Sequence, residues 1–364
     1  MKSYFIRVVC CLFPCILMGQ NFVEISELDQ EVSETSGLIY FDEHLITHND
    51  SGGLNSLYVL DEKTGEVVRT VVVENANNRD WEDLAQDSDY IYIGDFGNQN
   101  GDRSDLKVYK ISKKSFLASD QVEAEIIEFN YSDQEGLVRD PQNTNYDAEA
   151  LIALNDALYI FTKNWIDTKT NVYKLSKEPG KYSLERIDQI DVEGLITGAT
   201  INKSQHKVVL SGYETINAFA VELRGFSQGK FSNGVVDKYT LNLPFNQSYQ
   251  IESIAFMEDF NYYLSSEKNR LGEATLYLLT STTLGLSTIE ASTYRVFPNP
   301  ASTMIQIQHD EPLIAIQIYN LLGQVMYEDY SRSNQIELDQ FERGVYVMKV
   351  VSERGSQSIK FLKE

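Results

Sequence analysis

An all-β fold is what the sequence predicts, and three observations predict it. Residues that suit a pleated, half-buried backbone dominate: the 364-residue chain has 22 Tyr and 17 Phe, is 42% apolar, and carries Val, Ile and Thr in short alternating runs. Long runs at helical period are hard to find. One phrase also recurs along the chain: an acidic or hydroxyl residue, a short apolar strand, a polar turn, a second apolar strand, then a polar corner. Its clearest copy occupies residues 80–85 and 90–98. Four short strands per repeat of ~40–50 residues is the plan of a propeller blade. The expected architecture is therefore a five-bladed β-propeller, with six blades as the alternative, followed by a small immunoglobulin-like β-sandwich.

Residues 1–20 read as a secretory signal: Lys2 and Arg7 form a charged start, residues 8–18 an apolar stretch, and Gly19 a small residue near the cut. Removing this segment takes Cys10, Cys11 and Cys15, which are all the cysteines, so the mature protein has no disulfide and no thiol chemistry. The formal charge then moves from -23 to -25, because two basic residues and no acidic ones are lost. Cys15 makes a poor lipoprotein anchor, since Pro14 precedes it where a small residue is needed. No later stretch approaches the ~18 apolar residues of a membrane span. A chain this acidic repels phosphate backbones and anionic lipid, which argues against nucleic-acid binding. It favours a solvated acidic face and attraction for cations.

The propeller is expected over residues 22–286. Residues 22–28 alternate as a lone strand. The first unit begins at Ser36, with strands at 44–47, 56–60 and 67–73, a corner at 49–53 and a hairpin turn at 61–65. The second begins at Glu82 and continues through 90–95, 107–111 and 125–131. The third begins at Glu149, with later strands at 158–163, 171–175 and 182–190. The fourth begins at Thr197 and continues at 208–213; the fifth begins at Glu252, with strands at 262–267 and 275–279. These starts lie 46, 67, 48 and 55 residues apart. The long second gap contains an excursion over 132–146, read as a loop, or as a degenerate blade in the six-bladed alternative. The fifth unit lacks an outer strand, and residues 22–28 are placed to supply it, which removes an exposed sheet edge. Residues 287–293 read as a linker. Residues 294–364 read as the sandwich, with strands near 304–308, 313–319, 324–327, 335–338, 344–352 and 356–362.

That last unit carries four motifs in order: Phe297-Pro298-Asn299-Pro300-Ala301; Ile318-Tyr319-Asn320-Leu321-Leu322-Gly323-Gln324; Gly344-Val345-Tyr346; and Lys360-Phe361-Leu362-Lys363. It resembles the C-terminal sorting domain of the type IX secretion system of Bacteroidetes. The resemblance implies passage of the inner membrane by the signal and of the outer membrane by the tail. It implies the secretion machinery as a partner and a secreted or cell-surface location. It implies nothing about the chemistry of the cargo.

Two constellations carry candidate chemistry. The first is the ring of repeat starts, Ser36, Glu82, Glu149, Thr197 and Glu252. Each opens an innermost strand and should face the propeller axis, where three crowded carboxylates repel one another. A bound divalent cation resolves the conflict, and oxygen donors without His or Cys favour Ca²⁺ over zinc. The competing reading makes these residues structural partners of neighbouring strands. The second constellation lies 13 to 16 positions later: Asp50, Asp95, Lys163, Tyr213 and Glu267. These corner residues should gather at the channel mouth, with Asn49, Asn98, Arg103 and Lys268 as companions. Asp50, Asp95, Lys163 and Glu267 are the candidates to position substrate and water, although turn chemistry accounts for Asp and Asn in corners equally well. His48 is expected to be exposed and incidental.

The blade plan over residues 36–279 resembles that of the calcium-activated nucleotidases (apyrases), and the resemblance implies an axial calcium. Phytase-like, esterase-like and uncharacterised bacterial propellers carry comparable acidic strand starts, matched here by residues 49–52, 80–83 and 94–98. Other patterns are set aside. Residues 225–229 match G-x-S-x-G but sit between strands, where the elbow's strand-to-helix turn is missing. Residues 98–102 brush the calcium-loop pattern, with Phe96 at its first ligand position. Trp81 and Trp165 read as packing rather than as sugar platforms. The expected function is a secreted or cell-surface module that binds a polar small molecule, a glycan or a protein on the channel face beside Ca²⁺. A calcium-dependent hydrolase of phosphate esters or similar extracellular substrates is the alternative.

Overall fold

A computed structural model describes residues 22–203, 206–215, 217–241, 243, 250–257, 261–270, 272–280, 294–308, 313–321, 323–330, 333–352 and 355–364. The expected signal (1–20) and linker (287–293) lie outside the described residues. Five sheets precede residue 281. Their first strands are Thr35–Phe41, Trp81–Gln86, Asp147–Leu154, Leu195–Asn202 and Ile251–Phe256. These strands are buried almost end to end, whereas the outer strands Val67–Val73 and Val235–Leu241 are largely half-exposed. Strands covered on both faces read as small and apolar runs rather than alternating ones, which is why residues such as 148–153 are apolar apart from Glu149.

Apolar side chains fill the space between successive sheets. Ile39, Ile93 and Trp81 pack between the first and second sheets, and Tyr92, Leu151 and Tyr173 between the second and third. Phe161, Leu210 and Phe219 join the third to the fourth, and Ala220, Ile254 and Tyr277 the fourth to the fifth. Leu38, Tyr58, Tyr263 and Leu276 then join the fifth to the first. A hydroxyl chain reinforces that last junction: Thr35 Oγ1 lies 2.7 Å from Thr47 Oγ1 and 3.3 Å from Ser265 Oγ, which is 2.6 Å from Ser253 Oγ. As the sequence suggested, Phe22–Glu27 pairs antiparallel with Thr275–Thr280 and completes the fifth sheet from the other end of the unit.

The inner strands share one irregularity. Each breaks register against its neighbour near the start, between Ser36 and Leu38, Trp81 and Asp83, Ala148 and Ala150, Ile196 and Gly198, and Ile251 and Ser253. The extra residues are Gly37, Glu82, Glu149, Thr197 and Glu252. A bulge re-aims the side chain of its extra residue, so four of the five ring residues expected from the sequence sit where the backbone turns them out of the ladder. Gly37 takes φ +58, and a Cβ there would meet the His48 ring and the backbone of Leu84. Ser36 is its neighbour, one residue out of phase with the other four.

Asp83 ties the centre together. Its carboxylate accepts from the backbone N–H of Leu84 (2.8 Å), Leu151 (2.7 Å) and Ala199 (3.1 Å), which belong to the first strands of three sheets.

Two details depart from the sequence expectation. The segment 182–190 is two strands: Gly180–Leu184 adds parallel to Glu125–Tyr131 at the edge of the second sheet, and Arg186–Asp191 closes the third. A short helix, Lys113–Ala118, and the strand Gln121–Val122 fill part of the long second gap, with Gln121–Val122 pairing parallel to Val67–Val73. No strand forms between residues 132 and 146. The C-terminal segment forms a three-stranded and a four-stranded sheet around Ile305, Ile318, Met348 and Phe361.

Candidate functional site

A cavity of about 270 Å³ opens where the bulges and the corner loops meet. Its wall is almost wholly polar. Six carboxylates line it, from Asp50, Asp80, Glu82, Glu149, Glu252 and Glu267, with Lys163 as the one basic side chain among the lining residues. Ser36, Ser51, Gln99, Asn100, Tyr213 and Gln250 complete the wall. Of the expected ring, Ser36, Glu82, Glu149 and Glu252 are present; of the expected corner set, Asp50, Lys163, Tyr213 and Glu267.

Thr197 and Asp95 do not line it. The Thr197 hydroxyl donates to the backbone oxygen of Ile251 at 2.5 Å, linking the fourth and fifth sheets. Ser36 makes the equivalent link, donating to the Glu82 backbone oxygen at 2.5 Å. Asp95 is buried against Arg103, whose Nη2 lies 2.8 Å from Asp95 Oδ1. Arg103 also donates to the Gly97 carbonyl at 2.9 Å and approaches Asp80 Oδ2 at 3.9 Å. Asp95 and Arg103 thus brace the loop behind the cavity. Asn98 belongs to the same brace: its N–H donates to Asp147 Oδ1 at 2.5 Å and its amide to the Tyr146 carbonyl at 3.2 Å. Asn49 is bound to Glu31 and Glu34, and Lys268 pairs with Glu273.

His48, expected to be exposed, is fully buried and packs edge-on against Trp81, with ring centroids 5.5 Å apart. Burial pushes its pKa down to about 4, so it is a neutral core residue at physiological pH. Trp81 is wholly buried, as packing predicted. Trp165 donates to Asp147 Oδ2 at 2.7 Å.

The acidic groups divide into two sets. Ligand oxygens of Asp50, Asp80 and Glu82 all lie within 4.8 Å of one another. Across the cavity, Lys163 Nζ lies 3.2 Å from Glu149 Oε1 and 5.2 and 5.3 Å from the centroids of the Trp165 and Tyr213 rings. Burial works against the Lys163 ammonium, but Glu149, Tyr213 and Glu252 outweigh it and hold its pKa well above the ordinary value. Glu82 and Glu252 are 7% and 8% exposed, and among the described residues neither side chain has a hydrogen-bond partner.

Crowding and burial disfavour ionisation throughout. Desolvation, with the charges of Asp80 and Glu267, pushes Asp50 up to about 7. Desolvation raises Asp80 to about 6 against the pull of Arg103, and Glu252 to about 8 against the pull of Lys163. Glu82 is raised well above the usual carboxylate range by burial and by Asp50. Such a wall is completed by protons or by a cation.

Asp80 is the member that sequence reasoning missed. It stands two residues before Glu82, just ahead of the strand Trp81–Gln86, and the run of acids at 80, 82 and 83 was the available signal. Gln99 and Asn100 come from the corner after Asp95, where only turn chemistry was legible.

Residues 295–364 match a family described as the secretion system C-terminal sorting domain. No curated protein matches the chain. Among solved structures, the chain is similar to a PQQ-bound aldose sugar dehydrogenase from Streptomyces coelicolor, at 11% identity and a TM-score of 0.42, covering 71% of this chain and 98% of that one. It is similar to a GH43_1 enzyme from Xanthomonas citri at 12% identity and a TM-score of 0.41, covering 71% and 89%. It is similar to a gluconolactonase from Xanthomonas campestris at 12% identity and a TM-score of 0.39, covering 80% and 86%.

Proposed function

We propose, for a chain whose residues 295–364 are a secretion system C-terminal sorting domain, that the sheets ahead of it form a cation-dependent hydrolase of small polar substrates outside the cell. The tail directs secretion to the cell surface by the type IX route. The domain reading is a five-bladed propeller over residues 22–286, a linker over 287–293 and a sorting sandwich over 294–364. What supports five blades is that each first strand lies against two others in a closed order, with apolar contact between the fifth and first sheets as between the rest. What supports a separate tail is its own apolar core.

The observation that carries the functional reading is the approach of Asp50, Asp80 and Glu82. Oxygens bound to one Ca²⁺ at ~2.3–2.6 Å lie no more than ~5 Å apart, and these three carboxylates meet that limit. Their hard oxygen donors suit calcium, and the buried Glu82, whose side chain makes no hydrogen bond among the described residues, is a group that a cation would satisfy. Bound there, a cation would polarise a substrate oxygen and acidify water. Asp50, Asp80 and Glu82 would hold it in place. Glu252, whose side chain makes no hydrogen bond among the described residues, would take or give a proton. Lys163, pinned by Glu149 and two aromatic rings, presents a fixed positive charge to negative charge that develops on the substrate. In this reading, of the metal set expected from the sequence only Glu82 holds the cation; Ser36, Glu149, Thr197 and Glu252 do not, Asp50 and Asp80 join it, and Asp95 is a support.

Calcium added to chelator-treated mature protein should raise the melting temperature by roughly 4–5 °C at about 100 times Kd, from ~2.7 kcal/mol of linkage and ~1.5–2 °C per kcal/mol at this size. Glu82→Gln should abolish most of that rise. Turnover of an ester and glycoside panel should vanish on chelation and return with calcium. A calcium-dependent melting shift without turnover would leave a binding module in place of the hydrolase. A melting curve indifferent to both calcium and chelator would remove the cation.

A further inference from the structure

The cavity's hydrogen-bonding groups constrain what it holds beside the cation. With Asp50, Asp80 and Glu82 on the cation and Glu149 on Lys163, the remaining carboxylates are Glu252 and Glu267. Glu252 is 8% exposed and its side chain makes no hydrogen bond among the described residues. A protonated carboxyl both donates and accepts and an ionised one accepts, so a group that can do both is its complement in either state. A phosphate ester at neutral pH offers acceptors and negative charge. Placed here its negative charge would face Glu149, Glu252 and Glu267, whose ionisation burial already disfavours, against the single positive charge of Lys163. A hydroxyl group fits both halves of the wall, since it donates to Glu252 or Glu267 and accepts from Lys163 or from an amide of Gln250 or Asn100. The Tyr213 ring, which lines the same wall, offers an apolar face to C–H groups. The volume of about 270 Å³ falls just under the ~300–1,000 Å³ of pockets for drug-sized ligands, which suits one ring-sized unit.

We propose that the substrate held against Glu252 and Glu267 is uncharged and polyhydroxylated, a single sugar unit, and not a phosphate ester. This rests on the cation reading above, because the cation is what neutralises Asp50, Asp80 and Glu82.

The test is calorimetry on calcium-loaded mature protein, with neutral aldohexoses and aldopentoses each titrated beside its own terminal phosphate. At least one neutral sugar should bind about tenfold or more tighter than its phosphate, as expected where buried acceptors must find donors. Glu252→Gln and, separately, Glu267→Gln should each weaken that sugar about tenfold while the calcium-induced melting shift persists, which also shows that the variants fold. A phosphate that binds as well as its neutral partner overturns the proposal. So does the absence of sugar binding while the calcium shift is intact, or a preference for amino sugars or polyamines over neutral sugars. Loss of the calcium shift in the wild-type protein overturns the cation reading instead, and sugar binding measured beside that loss still supports the sugar class.

Discussion

Gly97 sets how closely a loop can run behind two carboxylates. A Cβ on it would strike Glu82 Oε1 and Asp80 Oδ2, and its carbonyl is held by Arg103 at 2.9 Å. Gly97→Ala should therefore reduce the calcium-induced melting shift by more than half while leaving the far-ultraviolet circular dichroism unchanged. A full shift in that variant would show that the Asp80–Glu82 approach is not what the cation uses. At this scale the sequence was readable where a side chain's direction follows from its own strand. Glu82, Glu149 and Glu252 are all bulged residues near the start of an inner strand, and all three line the cavity. It was silent where a residue's role depends on a partner elsewhere. Asp95 reads like Asp50 in its corner, yet Arg103 lies 2.8 Å from it and takes it out of the wall. His48 reads as a loop histidine until the second sheet's Trp81 is seen to cover it.

Among the elements, the first strands matter most, and Asp83 is their common fastening. Its oxygens accept three backbone N–H groups from three sheets. Burial pushes its pKa up while those donors pull it down. Removing the acceptor leaves buried N–H groups without partners, at ~1–3 kcal/mol each. Asp83→Ala should cost roughly 3 kcal/mol or more in urea unfolding, and Asp83→Asn, which keeps an acceptor, distinctly less. Equal costs for the two would show that the carboxylate is not acting through those bonds. The alternation that marks Trp81–Gln86 as a strand was legible because it is a property of neighbouring residues. The parallel addition of Gly180–Leu184 to the second sheet was not, because nothing in a strand's own sequence says which edge it will join.

For the molecule as a whole, the crowded wall links stability to pH. In the cation-free protein Asp50, Asp80 and Glu252 hold protons up to about 7, 6 and 8, whereas the unfolded chain releases its own near ~4. The folded state thus binds more protons between roughly pH 4 and 8, so this contribution is fully present below ~4 and is lost as pH rises through 8. A cation held by Asp50, Asp80 and Glu82 would replace the protons of Asp50 and Asp80. The calcium-induced melting shift should therefore be small at pH 5 and several-fold larger at pH 8, as read by scanning calorimetry at both. A shift that is the same at both pH values would place the cation away from these carboxylates.

By itself the sequence determined the strands, their repetition and the sorting tail, because strand alternation, turn residues and the tail's motifs are written within a few residues of one another. Only the tertiary structure decided that Asp50 of the first sheet meets Asp80 and Glu82 beside the second, that Thr197 turns to a backbone carbonyl, and that Glu252 faces the cavity with no side-chain hydrogen bond among the described residues. Those outcomes depend on distances between sheets, which are set by how bulged strands and apolar faces pack and by no single stretch of chain.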